Sequence, residues 1–260
     1  MEEMIELAVR SSVDGTMQPN LFYFAGADRP LLVGLHTWSC DRFNQVERMM
    51  PLAERNRWSL LLPEFRGPNL RRNPNAPDAC GSKKAKQDIL DAVEYVEREY
   101  GCDSRNILLA GGSGGGHMAL LMAAYAPELW RAVCSFVPIT DVGVWRTENP
   151  RYFDGIDACC GEPGTEETAR EYAYRSPVTY LDELARATVK IWTGKWDPSV
   201  PCHHGLDLYN RLFAAHPEAH VFFEMFDGGH ELLFDEAERW LLAHMAGDEA
   251  KDVRRETVTG

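Results

Sequence analysis

The sequence predicts an α/β fold in which helices cover both faces of a mainly parallel, twisted sheet. Short apolar runs of strand length alternate along the chain with longer helical patterns. Runs that are apolar at every position suit parallel strands, because helices bury both faces of such a sheet. A serine flanked by glycines lies between one of these runs and the helical pattern that follows it. The length of 260 residues fits one large domain over residues 1–260.

The strand candidates follow one another in a simple order. Residues 5–11 and 20–25 are expected to form an antiparallel hairpin, whose turn includes Asp14 and Gly15. Six apolar runs follow at residues 31–35, 60–62, 106–110, 132–137, 189–192 and 221–226. Helical patterns accompany them at residues 88–99, 117–125, 205–215 and 236–245. This order predicts repeated strand–helix–strand units, which place consecutive strands parallel to one another.

Residues 140–180 interrupt this alternation. They contain no strand pattern, and their aromatic residues stand among charges, prolines and glycines. A connection of this length inside a compact domain is usually functional. We therefore expect residues 140–180 to form a small lid or wall over a substrate, with a helical insertion packed on the surface as the alternative. Trp145 and Tyr152 are the candidates for stacking on an aryl or sugar group, and core packing is the alternative role for each.

The composition excludes several classes of function. Hydrophobic residues make up 45% of the chain and charged residues 26%, as in ordinary soluble globular proteins. The net charge of −13 argues against nucleic acid and anionic membrane as partners, because an acidic surface repels phosphates. No apolar run is long enough to span a bilayer. The N-terminus lacks the basic and apolar parts of a signal peptide, so we expect a cytoplasmic protein.

Nothing in the sequence predicts a cofactor or a metal ion. The seven cysteines form no CxxC pair, which favours reduced thiols. His203 and His204 are adjacent in the chain. We expect such successive side chains to point in different directions rather than at one ion.

The pentapeptide GGSGG at residues 111–115 predicts the nucleophile, Ser113. It fits the pattern Gly-x-Ser-x-Gly, and it joins the apolar run 106–110 to the helical pattern that starts near His117. A strand-to-helix turn this tight strains the backbone, and glycines remove the side chains that would clash. Ser113 would then project at the N-terminal end of a helix, where backbone amides stabilise an oxyanion. Neither a dinucleotide fingerprint nor a phosphate-binding P-loop fits this segment.

A serine hydroxyl is a poor nucleophile until a base takes its proton. His230 follows the last strand candidate in the sequence Asp-Gly-Gly-His, from where its imidazole can reach the serine. Asp197 follows the strand candidate 189–192 and would hold the imidazole in the required tautomer. Ser, Asp and then His is a known chain order for such triads. Asp141, in the loop after the preceding strand candidate, is the alternative acid.

Two backbone amides are expected to bind the oxyanion that forms when the serine attacks a carbonyl. The first is the amide of Gly114, the residue after the nucleophile. The second should come from the loop after the strand candidate 31–35, where Trp38 is the first choice and Thr37 the alternative.

These motifs together resemble the prolyl-oligopeptidase-like branch of the α/β-hydrolases, the S9-type serine hydrolases. Residues 111–116 match the family pattern Gly-x-Ser-x-Gly-Gly, and residues 194–201 match Gly-x-x-Asp-x-x-Val-Pro. An Arg-Gly turn at Arg66 is a weaker similarity. The resemblance covers most of the chain, and it implies the α/β-hydrolase fold and a Ser–His–Asp mechanism. One departure is the His-Thr pair at residues 36–37, where many relatives have His-Gly.

Three functions are compatible with these residues. The first is hydrolysis of carboxylic esters through an acyl-enzyme, as in acyl, feruloyl or carbohydrate esterases. The second is cleavage of short peptides by a small serine peptidase, and the third is binding without catalysis on a hydrolase fold. The expected partner is a small-molecule ester or a short peptide, and assembly into a homo-oligomer is compatible with the sequence. Arg66 is a candidate to bind a substrate carboxylate, with a structural role in its turn as the alternative.

Overall fold

The structure is a computed structural model that describes residues 4–245, so both ends of the predicted domain 1–260 lie outside the described residues. In chain order, its strands are β1 (Ile5–Arg10), β2 (Met17–Tyr23), β3 (Leu31–Leu35), β4 (Ser59–Pro63), β5 (Ile107–Gly112), β6 (Ala132–Phe136), β7 (Val189–Gly194) and β8 (Val221–Phe226). They form one sheet in the order β1-β2-β4-β3-β5-β6-β7-β8. The pairs β1–β2 and β2–β4 are antiparallel, and the other pairs are parallel. The mainly parallel sheet and its N-terminal hairpin are thus confirmed.

Helices cover both faces of this sheet. They are α1 (Val46–Asn56), α2 (Lys83–Tyr100), α3 (Gly114–Tyr125), α4 (Val142–Glu148), α5 (Phe153–Cys160), α6 (Glu166–Tyr174), α7 (Leu181–Leu184), α8 (His203–Ala215) and α9 (Phe234–His244). Short 3₁₀ turns occur at Ala76–Asp78, Pro150–Tyr152 and Pro177–Thr179. Within residues 4–245, none of the helices has the length and the apolar character needed to cross a membrane.

Side chains that alternate along the strands build a separate core on each face of the sheet. Leu31, Val33 and Leu35 of β3 pack in one core with α2, α3 and α8. Leu32, between them in the chain, lies in the other core with α1 and α9. Successive residues of a strand point to opposite faces, so a central strand between two helical layers must be apolar throughout. This requirement explains why β3 appears in the sequence as an unbroken apolar run.

Helix α1 is absent from the sequence prediction. It contains Pro51, and a proline inside a helix removes a backbone donor and costs about 3 kcal/mol. One face of α1, which includes Met49 and Leu52, is buried in the core beside β4 and α9. Burying one such side chain contributes roughly 1.5–3 kcal/mol. Packing of this face therefore outweighs the cost of the proline. The local sequence pattern does not indicate this packing, so it does not predict α1.

The segment between β6 and β7 consists of the helices α4 to α7. Trp145 and Ile156 from its inner side belong to a third apolar cluster, together with Trp38 after β3 and Val200 after β7. The predicted segment 140–180 is therefore helical, and it packs on loops that leave the carboxyl ends of two strands.

Arg66 binds two carboxylates inside the fold. Its side chain is 3% exposed and forms ion pairs with Asp88 of α2 and with Asp14 of the turn between β1 and β2. Its Nη2 also donates to the Ser11 hydroxyl at 3.1 Å. The expectation that Arg66 binds a substrate carboxylate is therefore wrong, because its guanidinium is buried and paired. Both partners lie far from Arg66 in the sequence, so the pattern around the Arg-Gly turn does not predict them.

Lys86 of α2 is buried among tyrosine rings. Its Nζ lies 3.8 Å from the centroid of the Tyr174 ring, 5.2 Å from that of Tyr125 and 5.6 Å from that of Tyr180. Burial lowers the pKa of Lys86 to about 8, and the nearby charge of Arg175 lowers it in the same direction. The aromatic faces attract the ammonium group, but they do not replace the hydration that burial removes.

This pKa predicts how stability depends on pH. Between pH 8 and 10.5 the unfolded chain holds the Lys86 proton while the native protein has released it, so the free energy of unfolding rises with pH. Relative to a Lys86→Met variant, wild-type protein should gain up to about 3 kcal/mol across this interval. Urea unfolding of both proteins at a series of pH values measures the difference. A difference that does not change with pH would contradict the prediction.

Candidate active site

Ser113 occupies the turn between β5 and α3, in a backbone conformation that few residues adopt. Its φ is 57° and its ψ is −119°, a combination that costs a residue with a side chain roughly 1–3 kcal/mol. The surrounding structure supports this conformation. Its amide donates to the carbonyl of Phe136 at 2.8 Å, and its own carbonyl accepts from the amide of His117 at 2.9 Å. The strained turn predicted for the nucleophile is therefore present, and it connects a buried strand to a helix.

The start of α3 lies directly against the loop that follows β3. A Cβ atom on Gly114 would lie 2.5 Å from both the amide nitrogen and the Cα of Trp38, a distance that no side chain tolerates. Glycine at this position therefore brings the backbone of the elbow and the backbone at Trp38 side by side. The amide of Thr37 points elsewhere, since it donates to Asn44 Oδ1 at 3.1 Å. Of the two amides expected from this loop, that of Trp38 is the one next to the elbow.

His230 and Asp197 form a hydrogen-bonded pair. The Nδ1 atom of His230 lies 2.6 Å from Oδ2 of Asp197, whose side chain is fully buried. The other oxygen, Oδ1, accepts from the amides of Ser199 at 2.7 Å and Val200 at 3.0 Å. These two amides hold the carboxylate in place, because both oxygens are occupied. The Nε2 atom of His230 is the ring nitrogen that does not contact Asp197.

The loops that carry Asp197 and His230 are joined through their backbones. The amide of Trp196 donates to the carbonyl of Gly228 at 2.9 Å. Gly194, at the end of β7, lies so close to the carbonyl of Gly229 that a Cβ atom at position 194 would overlap it. Since β7 and β8 are parallel neighbours, the loops leave the sheet at the same edge. Their contact sets the distance between the carboxylate and the imidazole.

Asp141, the alternative acid, and His117, the histidine nearest to Ser113 in the sequence, lie elsewhere. Asp141, the other candidate acid, accepts from the amide of Val144 at 3.0 Å and caps the start of α4. His117 is buried in α3, and its Nε2 donates to the carbonyl of Arg175 at 2.6 Å. Burial lowers the pKa of His117 to about 4, which leaves it neutral and occupied. Of these two acids it is Asp197 that contacts His230.

Ser113 and His230 line the same cavity, which has a volume of about 320 Å³. The remaining lining residues come from the loop after β3, from α1, from the insertion and from the segment after His230: Thr37, Trp38, Ser39, Asn44, Gln45, Arg48, Tyr152 and Leu232. Tyr152, predicted as a substrate contact, is therefore part of the wall. Ser113, His230 and Trp38 thus meet at one opening.

Trp145, the other aromatic residue predicted to contact substrate, packs against two residues of this wall, Trp38 and Tyr152. It is buried, and its ring centroid lies 4.8 Å from that of Trp38 and 4.5 Å from that of Tyr152. Its indole N–H donates to the carbonyl of Ser199 at 2.8 Å. The expectation of direct stacking on a substrate is therefore wrong for Trp145. The alternative role, packing within the core, is the one it has.

Gln45 is a residue of the wall that the sequence does not single out. Its Nε2 donates to Asn44 Oδ1 at 3.0 Å, the same oxygen that accepts from the amide of Thr37. Since an amide nitrogen must face that oxygen, the other end of Gln45 is its carbonyl. Within residues 4–245, this buried Oε1 atom has no hydrogen-bond partner. No motif marks Gln45, because it precedes the helix whose pattern Pro51 obscures.

A group of metal-ligand residues lies outside this cavity. His203 and His204, at the start of α8, both contact the carboxylate of Glu148. The expectation that adjacent histidines point in different directions is therefore wrong, because both rings turn toward α4 and stack on each other. All seven cysteines are free thiols.

Comparisons with known proteins agree with this fold. The dipeptidyl aminopeptidase BIII of Pseudoxanthomonas mexicana is 24% identical over 184 residues, which are 68% of this chain and 26% of that protein. This chain therefore spans about a quarter of the length of that relative. The acylaminoacyl peptidase of Pyrococcus horikoshii matches with a TM-score of 0.76 at 16% identity, over 96% of this chain and 43% of that one. An esterase of Pyrococcus furiosus matches with a TM-score of 0.71 at 14% identity, over 94% and 92%.

The family model described as prolyl oligopeptidase family matches residues 81–247, which is more than half of the chain. This span contains the elbow at Ser113 and the loops that carry Asp197 and His230. The chain therefore belongs to the prolyl oligopeptidase family, and it has the α/β-hydrolase fold.

Proposed function

We propose that the protein hydrolyses carboxylic esters, with Ser113 as nucleophile, His230 as general base and acid, and Asp197 as the partner of His230. One observation carries this proposal. The strained Ser113 and the Asp197–His230 pair come from three separate loops, and the serine and histidine open onto one cavity. A purely structural arrangement has no need to combine a costly serine conformation with a buried carboxylate–imidazole pair.

The reaction follows from these positions. The Ser113 hydroxyl attacks the ester carbonyl as Nε2 of His230 takes its proton, and the amides of Gly114 and Trp38 stabilise the negative oxygen of the tetrahedral intermediate. Collapse of the intermediate breaks the ester bond, and the imidazolium returns the proton to the departing alcohol. A water molecule then attacks the acyl-enzyme by the same route and releases the acid. Throughout, Asp197 holds the Nδ1 proton of His230 and stabilises the imidazolium.

In this proposal, the insertion at residues 140–180 forms one wall of the substrate site. Tyr152 contributes the contact surface, and its ring packs on Trp145, which in turn packs on Trp38. An aromatic wall beside the nucleophile suits an ester with an aryl or sugar group, because flat or ring-shaped groups stack on aromatic faces.

Cleavage of short peptides is a second candidate, which one of the comparisons favours. The relative from Pseudoxanthomonas mexicana is named as a dipeptidyl aminopeptidase. Binding without catalysis, the third alternative, has no comparable support, since the chain belongs to the prolyl oligopeptidase family.

Labelling with a fluorophosphonate tests the proposed nucleophile. Wild-type protein should react at one site per chain, because the activated hydroxyl displaces fluoride from phosphorus. Folded Ser113→Ala protein should stay unlabelled. Mass spectrometry of the digested adduct identifies the modified residue. An unlabelled wild type, or a label on another serine, would show that the assignment of Ser113 is wrong.

Two aspartate variants test the proposed acid. Asp197→Asn should lower kcat on a nitrophenyl ester roughly 10³–10⁴-fold, because the imidazole loses the partner that sets its tautomer. Asp141→Asn is the matched control and should stay within about twofold, since asparagine caps a helix as well as aspartate does. The initial rates of both folded variants decide between the acids. A large loss in Asp141→Asn with an active Asp197→Asn would reverse the assignment.

A substrate panel separates the ester and peptide candidates. With nitrophenyl and feruloyl esters on one side and aminoacyl, acylaminoacyl and prolyl arylamides on the other, we expect the esters to have the higher kcat/KM. Clear turnover of arylamides without turnover of esters would overturn the first proposal.

A further inference from the structure

Glu148, His203 and His204 form a cluster at the junction of α4 and α8. The Nε2 atom of His203 lies 2.7 Å from Oε1 of Glu148, and that of His204 lies 3.1 Å from Oε2. The imidazole rings stack with their centroids 4.8 Å apart. The side chain of His204 is 1% exposed, whereas those of His203 and Glu148 are partly open to solvent. One carboxylate therefore faces two ring nitrogens at the end of a helix.

The spacing of these atoms matches that of ligands around a metal ion. Zinc binds imidazole nitrogen and carboxylate oxygen at about 2.0–2.2 Å, and tetrahedral geometry then separates two ligand atoms by roughly 3.3 Å. The two N–O distances of 2.7 and 3.1 Å are slightly shorter than this. One atom from each of the three residues falls within 4.8 Å of the others. A cation can therefore take the place of the shared protons after small side-chain movements.

The surroundings of the cluster favour a cation that prefers nitrogen ligands. Two imidazoles and one carboxylate are typical of zinc and related transition metals, whereas magnesium and calcium select oxygen ligands. Asp207 Oδ2 lies 3.6 Å from Nδ1 of His203, on the ring nitrogen that would not bind the metal. Carboxylates in that position orient metal-binding histidines. The side chains of His203 and Glu148 are partly exposed, so a water molecule can reach the cluster as fourth ligand.

We propose that Glu148, His203 and His204 bind one divalent transition-metal cation of the zinc class, and that the cation joins the insertion to α8. Two residues close to Glu148 in the chain also contact the loop that carries Asp197. Trp145 Nε1 and Asn149 Nδ2 both donate to the carbonyl of Ser199, at 2.8 and 2.9 Å. The amide of Ser199 in turn donates to Asp197 Oδ1. A cation on Glu148 therefore stabilises the end of α4 that holds this loop, without entering the proposed hydrolysis.

Calorimetric titration of EDTA-treated wild-type protein with Zn²⁺ tests the site. We expect one equivalent to bind, with a higher melting temperature in Zn²⁺ than in EDTA and no binding of Mg²⁺ at the same concentration. Glu148→Gln and His203→Asn should each weaken Zn²⁺ binding at least tenfold and abolish the shift in melting temperature. His216→Asn is the matched control, because it removes an imidazole that contacts a single carboxylate, Asp182, at 2.8 Å. It should bind Zn²⁺ as wild type does.

Substitution with Co²⁺ provides a second readout that does not depend on activity. The wild type should show the visible absorption bands of a four-coordinate site, and His203→Asn should lack them. His203 is half exposed, so this variant keeps the proposal testable even if Glu148→Gln unfolds in EDTA. Equal Zn²⁺ affinity in wild type and His203→Asn would overturn the proposal, and so would the absence of Zn²⁺ binding to wild type.

Discussion

The carboxylate of Asp197 accepts hydrogen bonds on both oxygens, and each oxygen serves a different part of the protein. Oδ2 contacts His230, while Oδ1 receives the amides of Ser199 and Val200. Trp145 and Asn149 of the insertion both donate hydrogen bonds to the carbonyl of Ser199. Because the carboxylate is buried and surrounded by donors, it cannot shift without leaving donors unpaired. The carboxylate of Asp197 therefore connects His230, the loop around Ser199 and the insertion.

The sequence predicts those features of the fold and candidate site that depend on local patterns. The elbow at Ser113 is recognisable because its glycines, its strand and its helix are consecutive. The proximity of Asp197 and His230 is predictable because parallel strands end at the same edge, so the loops after β7 and β8 are neighbours. The sequence likewise predicts that the loop after β3 lies beside the elbow. It does not predict which amide of that loop faces the elbow, because the contact of Thr37 with Asn44 depends on the tertiary fold.

Contacts between distant segments account for what the sequence did not predict. Arg66 looked available for a substrate because its partners, Asp14 and Asp88, come from other elements. His203 and His204 looked divergent because Glu148 lies on another helix, more than fifty residues earlier in the chain. In each case the sequence shows the chemical character of the side chain but not its partner. Its role was decided by which carboxylate the tertiary fold brings beside it.

Part of the wall of the cavity comes from a different stretch of the chain than the three side chains proposed for the chemistry. Ser113, Asp197 and His230 fall within residues 81–247, the part that matches the family, whereas Gln45 and Arg48 lie before it. Side chains of the segment from β3 to α1 can therefore change without replacing any of these three groups, while the close contact between Gly114 and the backbone of Trp38 fixes the path of the loop. Under the proposed function, substitutions at Gln45 or Arg48 would alter which substrates fit the cavity and leave the side chains proposed for hydrolysis as they are.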